Sequence, residues 1–146
     1  HAINYLQKMN ETFDIFLSLP TTSPLRSQKD INNALNALKK NDDAVITVTP
    51  SSRNPSFNMV SIDKEGIANL IEEKKVVSRR QDAPKYYDMT TVSYVSRPEF
   101  ILSKKYLFSG RIKSIIVPKE RAIDIDDITD ALVAGFLYER NKNIWG

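Results

Sequence analysis

The sequence predicts an α/β domain in which helices cover a parallel sheet, with a small antiparallel hairpin set into it. Three observations predict this. "DIFLSLP" (14–20) and "AVITVTP" (44–50) are short apolar runs closed by turn residues, the signature of buried strands. Between them Ile31, Ala34, Leu35 and Leu38 recur at helical spacing, and strand, helix, strand in succession argues for a parallel sheet covered by helices. Further on, "FNMVSIDKEGIANLI" (57–71) reads as two short strands around a Lys-Glu-Gly turn.

Taken in order, the first element is a helix, because Ala2, Tyr5, Leu6 and Met9 follow helical spacing. The chain opens on His1 inside that pattern, so the expectation is a portion of a longer chain whose missing part lies upstream. Nothing in the opening residues has the basic start and apolar stretch of a signal peptide. After the first strand, "TTSPLR" (21–26) forms a loop. Ser27 with Asp30 three residues later is a helix-start signal, and Lys39 and Lys40 close that helix beside its negative end. The stretch "EEKKVVSRRQDAPKYY" (72–87) is charged and aperiodic. It reads either as a linker or, through its paired arginines and tyrosines, as a contact to a ligand or second subunit. "MTTVSYV" is β-rich, "RPEFIL" opens a short helix with Pro98 near its start, "IKSIIVP" is another apolar strand, and a final helix runs from about Ile128 to Arg140.

Composition bounds the function. A chain of 146 residues fits one domain and buries roughly 68–70% of its unfolded surface. No apolar run is long enough to cross a bilayer. The absence of cysteine excludes disulfides, thiolate metal sites and cysteine nucleophiles, and fits a cytoplasmic protein. The net charge of +3 suits anionic ligands such as nucleotides or acidic sugars, yet the basic residues are scattered, so no nucleic-acid groove is expected. The sole histidine is His1, which argues against histidine acid–base or zinc chemistry and against a serine triad. With four glycines in the whole chain, there is no glycine-rich phosphate loop.

Against this basic background, "RAIDIDDITD" (121–130) gathers four aspartates. If the chain is extended from Asp124 to Asp126, both carboxylates face one side while Ile123 and Ile125 face the core, a geometry that grips a cation. Mg2+ takes one or two protein carboxylates and completes its shell with water and phosphates. Asp127 and Asp130 have a purely structural reading, as cap and first-turn acid of the last helix. In the "TTSPLR" loop, Thr22, Ser23 and Arg26 are either ordinary turn residues or holders of an anion or sugar hydroxyls at the carboxyl end of a strand. Arg79 and Arg80, beside Gln81, raise the same choice between solvated charge and bidentate recognition of a carboxylate.

"TSPLR", "SRRQDAP", the strand containing Tyr94 and "RAIDIDDITD", in this order over nearly the whole chain, resemble the acylneuraminate cytidylyltransferases. The resemblance implies a Rossmann-like, three-layer nucleotide-diphospho-sugar transferase fold, read here as the C-terminal portion of one such domain over 1–146. A hairpin and dimerisation element is inserted at about 55–90. It implies transfer of CMP from CTP to the anomeric hydroxyl of an acidic nine-carbon sugar with release of pyrophosphate, Mg2+ dependence and a homodimer. It assigns Asp124 and Asp126 to the metal and the chemistry. Thr22, Ser23 and Arg26 fall to the substrate loop, Arg79, Arg80 and Gln81 to a sugar pocket shared across subunits, and Lys85 and Tyr94 to substrate contact.

Two departures bear on the sugar: Pro20 and Thr21 replace the family's Gln-Pro, and "TTVSY" (90–94) replaces "NGAIY". They point to a relative of N-acetylneuraminate such as legionaminic or pseudaminic acid. The family's N-terminal nucleotide loop is not among these residues, so this chain alone is expected to be inactive. Two other readings compete: a metal-dependent glycosyltransferase using Asp-x-Asp, and a non-catalytic dimerisation scaffold.

Overall fold

Helix starts are set by local chemistry, and the two longest helices show how. The Ser27 side chain accepts from the Asp30 N–H while Asp30 accepts from the Ser27 N–H, a reciprocal box that starts α2 (Gln28–Ala37) where the sequence predicts. Asp127 Oδ1 accepts from the N–H groups of Thr129 (2.7 Å) and Asp130 (3.1 Å), and Asp130 Oδ2 accepts from the Asp127 N–H (3.3 Å). That second box starts α4 (Ile128–Arg140), as expected.

The computed structural model describes residues 1–72, 84–103 and 106–140. It has two compact units, His1–Thr49 with Met89–Gly146, and Pro50–Asp88. The larger unit holds α1 (Ala2–Lys8), β1 (Phe16–Ser18), α2, β2 (Ala44–Pro50), most of β5 (Tyr87–Ser96), α3 (Pro98–Ser103), β6 (Ile112–Ile116) and α4. The smaller unit holds β3 (Val60–Ile62) and β4 (Ala68–Leu70). These pair antiparallel from Val60↔Leu70 to Ile62↔Ala68. Their turn is fixed by Asp63, whose Oδ1 accepts from Glu65 and Ile67, and by Gly66 at φ +85°, which an L side chain rarely adopts.

The main sheet has the order β1-β5-β2-β6. Its parallel pair is β2 with β6, registered from Ala44↔Ile112 to Val48↔Ile116. β5 lies between β1 and β2 and runs antiparallel to β1, Phe16↔Ser96 to Ser18↔Tyr94, so the sheet is mixed rather than wholly parallel. Burial explains the placement. β2 is buried at every position but its last, and β5 is buried at Val92, Ser93, Val95 and Ser96, so both need neighbours on either side and on both faces, whereas the three residues of β1 are half-buried and suit an edge. Thr47 locks β5 to β2, accepting from the Thr90 hydroxyl (2.7 Å) and the Ser93 N–H (3.2 Å).

One face of the sheet is covered by α2: Ala34 and Leu38 pack with Val45 and Val95, flanked by Leu17, Leu35, Ala37 and Ile115. Burying side chains of this size contributes about 1.5–3 kcal/mol for each Val or Leu. α1 forms where the helical spacing predicts a helix; Ile3 is its buried residue, Tyr5, Leu6 and Met9 are exposed, and the chain then passes Asn10 at φ 59°.

Candidate functional site

The site is built from two segments that follow β1 and β6. The first is the loop 19–26. Its Arg26 folds back, donating from Nε to the Ser23 carbonyl (2.9 Å) and from its terminal nitrogen to the Pro20 carbonyl, and burial lowers the guanidinium pKa. Ser23 is fully buried with its hydroxyl 2.5 Å from that of Thr91 on β5. Both side chains therefore brace the loop. Thr22 is exposed at its tip.

The second segment leaves β6 through Val117, whose N–H still bonds to the Val48 carbonyl (2.8 Å), and makes a short 3₁₀ turn at Lys119–Arg121. Asp124 does not continue β6 in extended form, as the sequence suggests; the strand ends at Ile116 and the turn intervenes. Residues 122–125 carry no regular secondary structure. They are tied to the first segment by the Ile125 N–H, which donates to the Thr22 carbonyl at 2.8 Å. Ile125 itself sits with Pro24, Leu25, Ala131 and Ala134 around a small apolar cavity, the inward placement its alternation predicts.

Asp124 and Asp126 differ in setting. Asp124 is half-buried, and its Oδ1 is enclosed with no hydrogen-bond partner. A carboxylate oxygen without a protein partner is uncommon in a folded protein and is met by water, by a cation or by a role in function. Asp126 is exposed, and its N–H donates to Asp130 Oδ2 (3.1 Å). Tyr94, half-buried on β5, faces the same charge: burial and then the Asp124 carboxylate raise its phenol above the ordinary value. Thus the Thr22 carbonyl anchors the residue that follows Asp124, and Tyr94 lies within the reach of the Asp124 charge.

Of the other residues singled out from sequence, Lys85 is exposed in the smaller unit. Arg79, Arg80 and Gln81 lie outside the described residues. Among the described residues no group of three or more His, Cys, Asp or Glu gathers as a protein-only metal cage.

Sequence reading missed one feature. Arg121 donates from Nε to Asp30 Oδ2 (2.7 Å) and from its terminal nitrogen to Asp30 Oδ1 (2.9 Å), a bidentate pair whose side chains are 15% and 4% exposed. Burial pushes the Asp30 carboxyl up, but the Arg121 fork and the Ser27 donors together outweigh it and hold the pKa below the usual range. Nothing in the spacing announces a pair 91 residues apart; the one signal is that Asp30 is a short acid at a buried helix start.

No family model matches the chain. In sequence it is 31% identical over 134 residues to the post-translational flagellin modification protein B of Campylobacter coli (90% of this chain, 55% of that protein). It is 32% identical over 93 residues to the CMP-N,N'-diacetyllegionaminic acid synthase of Campylobacter jejuni (64% and 39%), and 24% identical over 141 residues to the pseudaminic acid cytidylyltransferase of the same species (97% and 61%). The chain thus spans about half the length of the curated relatives it matches. In structure it superposes on the 4-diphosphocytidyl-2C-methyl-D-erythritol synthase of Anaerococcus prevotii with a TM-score of 0.63 at 17% identity, covering 95% of this chain and 65% of that one. It superposes on a CMP:2-keto-3-deoxy-manno-octonic acid synthetase solved with CTP with a TM-score of 0.58 at 13% identity, covering 94% and 67%. The fold is the Rossmann-like α/β fold of these nucleotidyltransferases, and the motif resemblance is matched by curated relatives.

Proposed function

We infer that this homologue of the CMP-nonulosonic acid cytidylyltransferases, as the whole protein, transfers CMP from CTP to the anomeric hydroxyl of an acidic nine-carbon sugar and releases pyrophosphate. The observation that carries the reading is Asp124: a carboxylate oxygen kept enclosed and unpaired, beside the exposed tip of a loop at the end of a strand. Such a group costs stability where it stands, and a bound cation would offset that cost. The donor set fits Mg2+, which takes one or two protein carboxylates and leaves its other positions to water and phosphate oxygens. Asp124 and Asp126 would hold it. When bound, Mg2+ would neutralise the charge of the triphosphate.

The chain's own residues do the rest by placement. Arg26, braced on the Pro20 and Ser23 carbonyls, fixes the loop so that Thr22 is presented at a constant position. Reaction at the α-phosphorus in line with departing pyrophosphate asks chiefly for positioning and charge balance, and no covalent intermediate on the protein is required. Tyr94, with its proton held more tightly than usual, stays a neutral hydroxyl able to donate to a substrate oxygen. Arg79, Arg80 and Gln81 are assigned to the sugar side by their match to the family's motifs, and Lys85 to substrate contact.

The smaller unit supports a homodimer: Val60, Ile62, Ile67 and Leu70 of its hairpin are exposed, and an isolated two-stranded hairpin is marginally stable in water. A cytoplasmic location belongs to the same proposal. No helix among the described residues is long and apolar enough to cross a membrane. The reading is tested by pyrophosphate release from CTP against a panel of nonulosonic acids. Release of UDP or GDP from a nucleotide-sugar would instead mark a glycosyltransferase, and absence of CTP binding a scaffold.

A further inference from the structure

Asp124 lies between two fixed points. Three residues before it, Arg121 is locked to Asp30 at the first turn of α2 by both arms of its guanidinium. One residue after it, the Ile125 N–H is held by the Thr22 carbonyl. Asp124 Oδ1 has no hydrogen bond of its own, so its position rests on these anchors in the backbone. Asp30 is held from both sides: Arg121 reaches its Oδ2 through Nε and its Oδ1 through the terminal nitrogen, and Oδ2 also accepts from the Ser27 N–H (3.1 Å) and the Ser27 hydroxyl (2.8 Å). At 3% exposed it is turned to these internal partners rather than to solvent. The pair's effect is mechanical. It ties the Lys119–Arg121 turn to the helix that follows the Thr22 loop, and so links the two segments of the site.

We propose that Arg121 is a positioning residue for Asp124, acting through Asp30 to hold the unpaired carboxylate where a divalent cation meets it. This rests on the metal reading given above. Lysine keeps the charge of arginine but lacks the planar fork, so Arg121→Lys removes the geometry and leaves the charge. Because a single change leaves Asp30 imperfectly paired, the double variant Asp30→Asn/Arg121→Gln is the second probe; removing both charges together relieves that penalty.

The test is Mn2+ binding by the intact protein, followed by electron paramagnetic resonance without nucleotide, with Asp124→Asn as the baseline. Outer partners of metal ligands typically account for about 10–100-fold in metal affinity. The expected result is Asp124-dependent Mn2+ binding in the wild type, weakened about tenfold or more in both pair variants. Their metal requirement in turnover should rise alongside, with kcat recovering at saturating Mg2+. A merely structural pair would lower the melting temperature and leave Mn2+ affinity within about twofold of wild type; that result, or wild-type protein lacking Asp124-dependent Mn2+ binding, overturns the proposal. The two readings fail separately. Metal affinity that tracks the pair in a protein releasing no pyrophosphate from CTP removes the proposed reaction alone, and normal turnover with unaltered metal affinity in the pair variants removes the positioning role alone.

Discussion

Replacing Asp124 with alanine should stabilise the metal-free protein, which few substitutions at a half-buried position do; measured changes centre near about 1 kcal/mol of destabilisation. The sign follows from Oδ1. A buried acceptor without a partner carries a desolvation penalty of about 1–3 kcal/mol, more when charged, and Asp124 Oδ1 is enclosed and unpartnered. Truncation removes that penalty and loses a few packing contacts, so the net gain should be about 1 kcal/mol. For a chain near this size that is about 2–4 °C in Tm. Divalent cation should reverse the order. At a Mg2+ concentration about a hundred times its Kd the wild type gains about 2.7 kcal/mol, and the variant, left with Asp126 alone, gains much less. Calorimetric melts of both proteins in chelator and in Mg2+ read all four values. A variant less stable than wild type in chelator, or an equal Mg2+ shift in both, would refute the reasoning.

Three further outcomes follow from the packing. Since the folded Asp30 pKa is held below its unfolded value, its contribution is fully present above about pH 3.9 and is lost as pH falls through the lower folded value; the Asp30→Asn/Arg121→Gln variant should therefore lose less stability than wild type in acid melts. Gly110→Ala should lower stability by about 1–3 kcal/mol, because a Cβ there would lie 2.3 Å from Phe100 Cε2 and 2.7 Å from Asp43 Oδ2, and urea titration should show the midpoint falling. Ser27→Ala should cost about 1 kcal/mol through the lost cap, with a larger loss expected because Asp30 also gives up a hydroxyl donor; thermal melts check it.

What could be read from the sequence is what local chemistry decides. Both capping boxes, Ser27 with Asp30 and Asp127 with Asp130, span three residues, so the side chains that start each helix sit beside it in the chain. The hairpin turn at Asp63–Gly66 is equally local. Strand order was not legible, because β1 pairs with residues about eighty positions away and its own run "FLS" carries no sign of which strand will flank it. Which face of α1 is buried was not legible, since a seven-residue helix supplies too few positions for a periodicity to be decisive.

In the candidate site, the acidic pair and the loop stood out as residue types in a pattern. Their supports did not: Ser23 meets Thr91 across 68 residues and Asp30 meets Arg121 across 91, contacts only the finished fold brings together. The unequal settings of Asp124 and Asp126 were likewise hidden, because alternation predicts equal facing, and the turn at Lys119–Arg121 breaks the strand before either is reached.

The central claim, that Asp124 anchors cation-dependent CMP transfer, is tested most directly by pyrophosphate release from CTP by the intact protein with legionaminic, pseudaminic and N-acetylneuraminic acids, in parallel with Asp124→Asn. The account predicts release with at least one of these sugars that depends on added Mg2+ and falls by two or more orders of magnitude in the variant while its fold persists, on the scale of lost electrostatic stabilisation at a reacting centre. Undiminished release by the Asp124 variant, or none by the wild type with any of these acids, would contradict it.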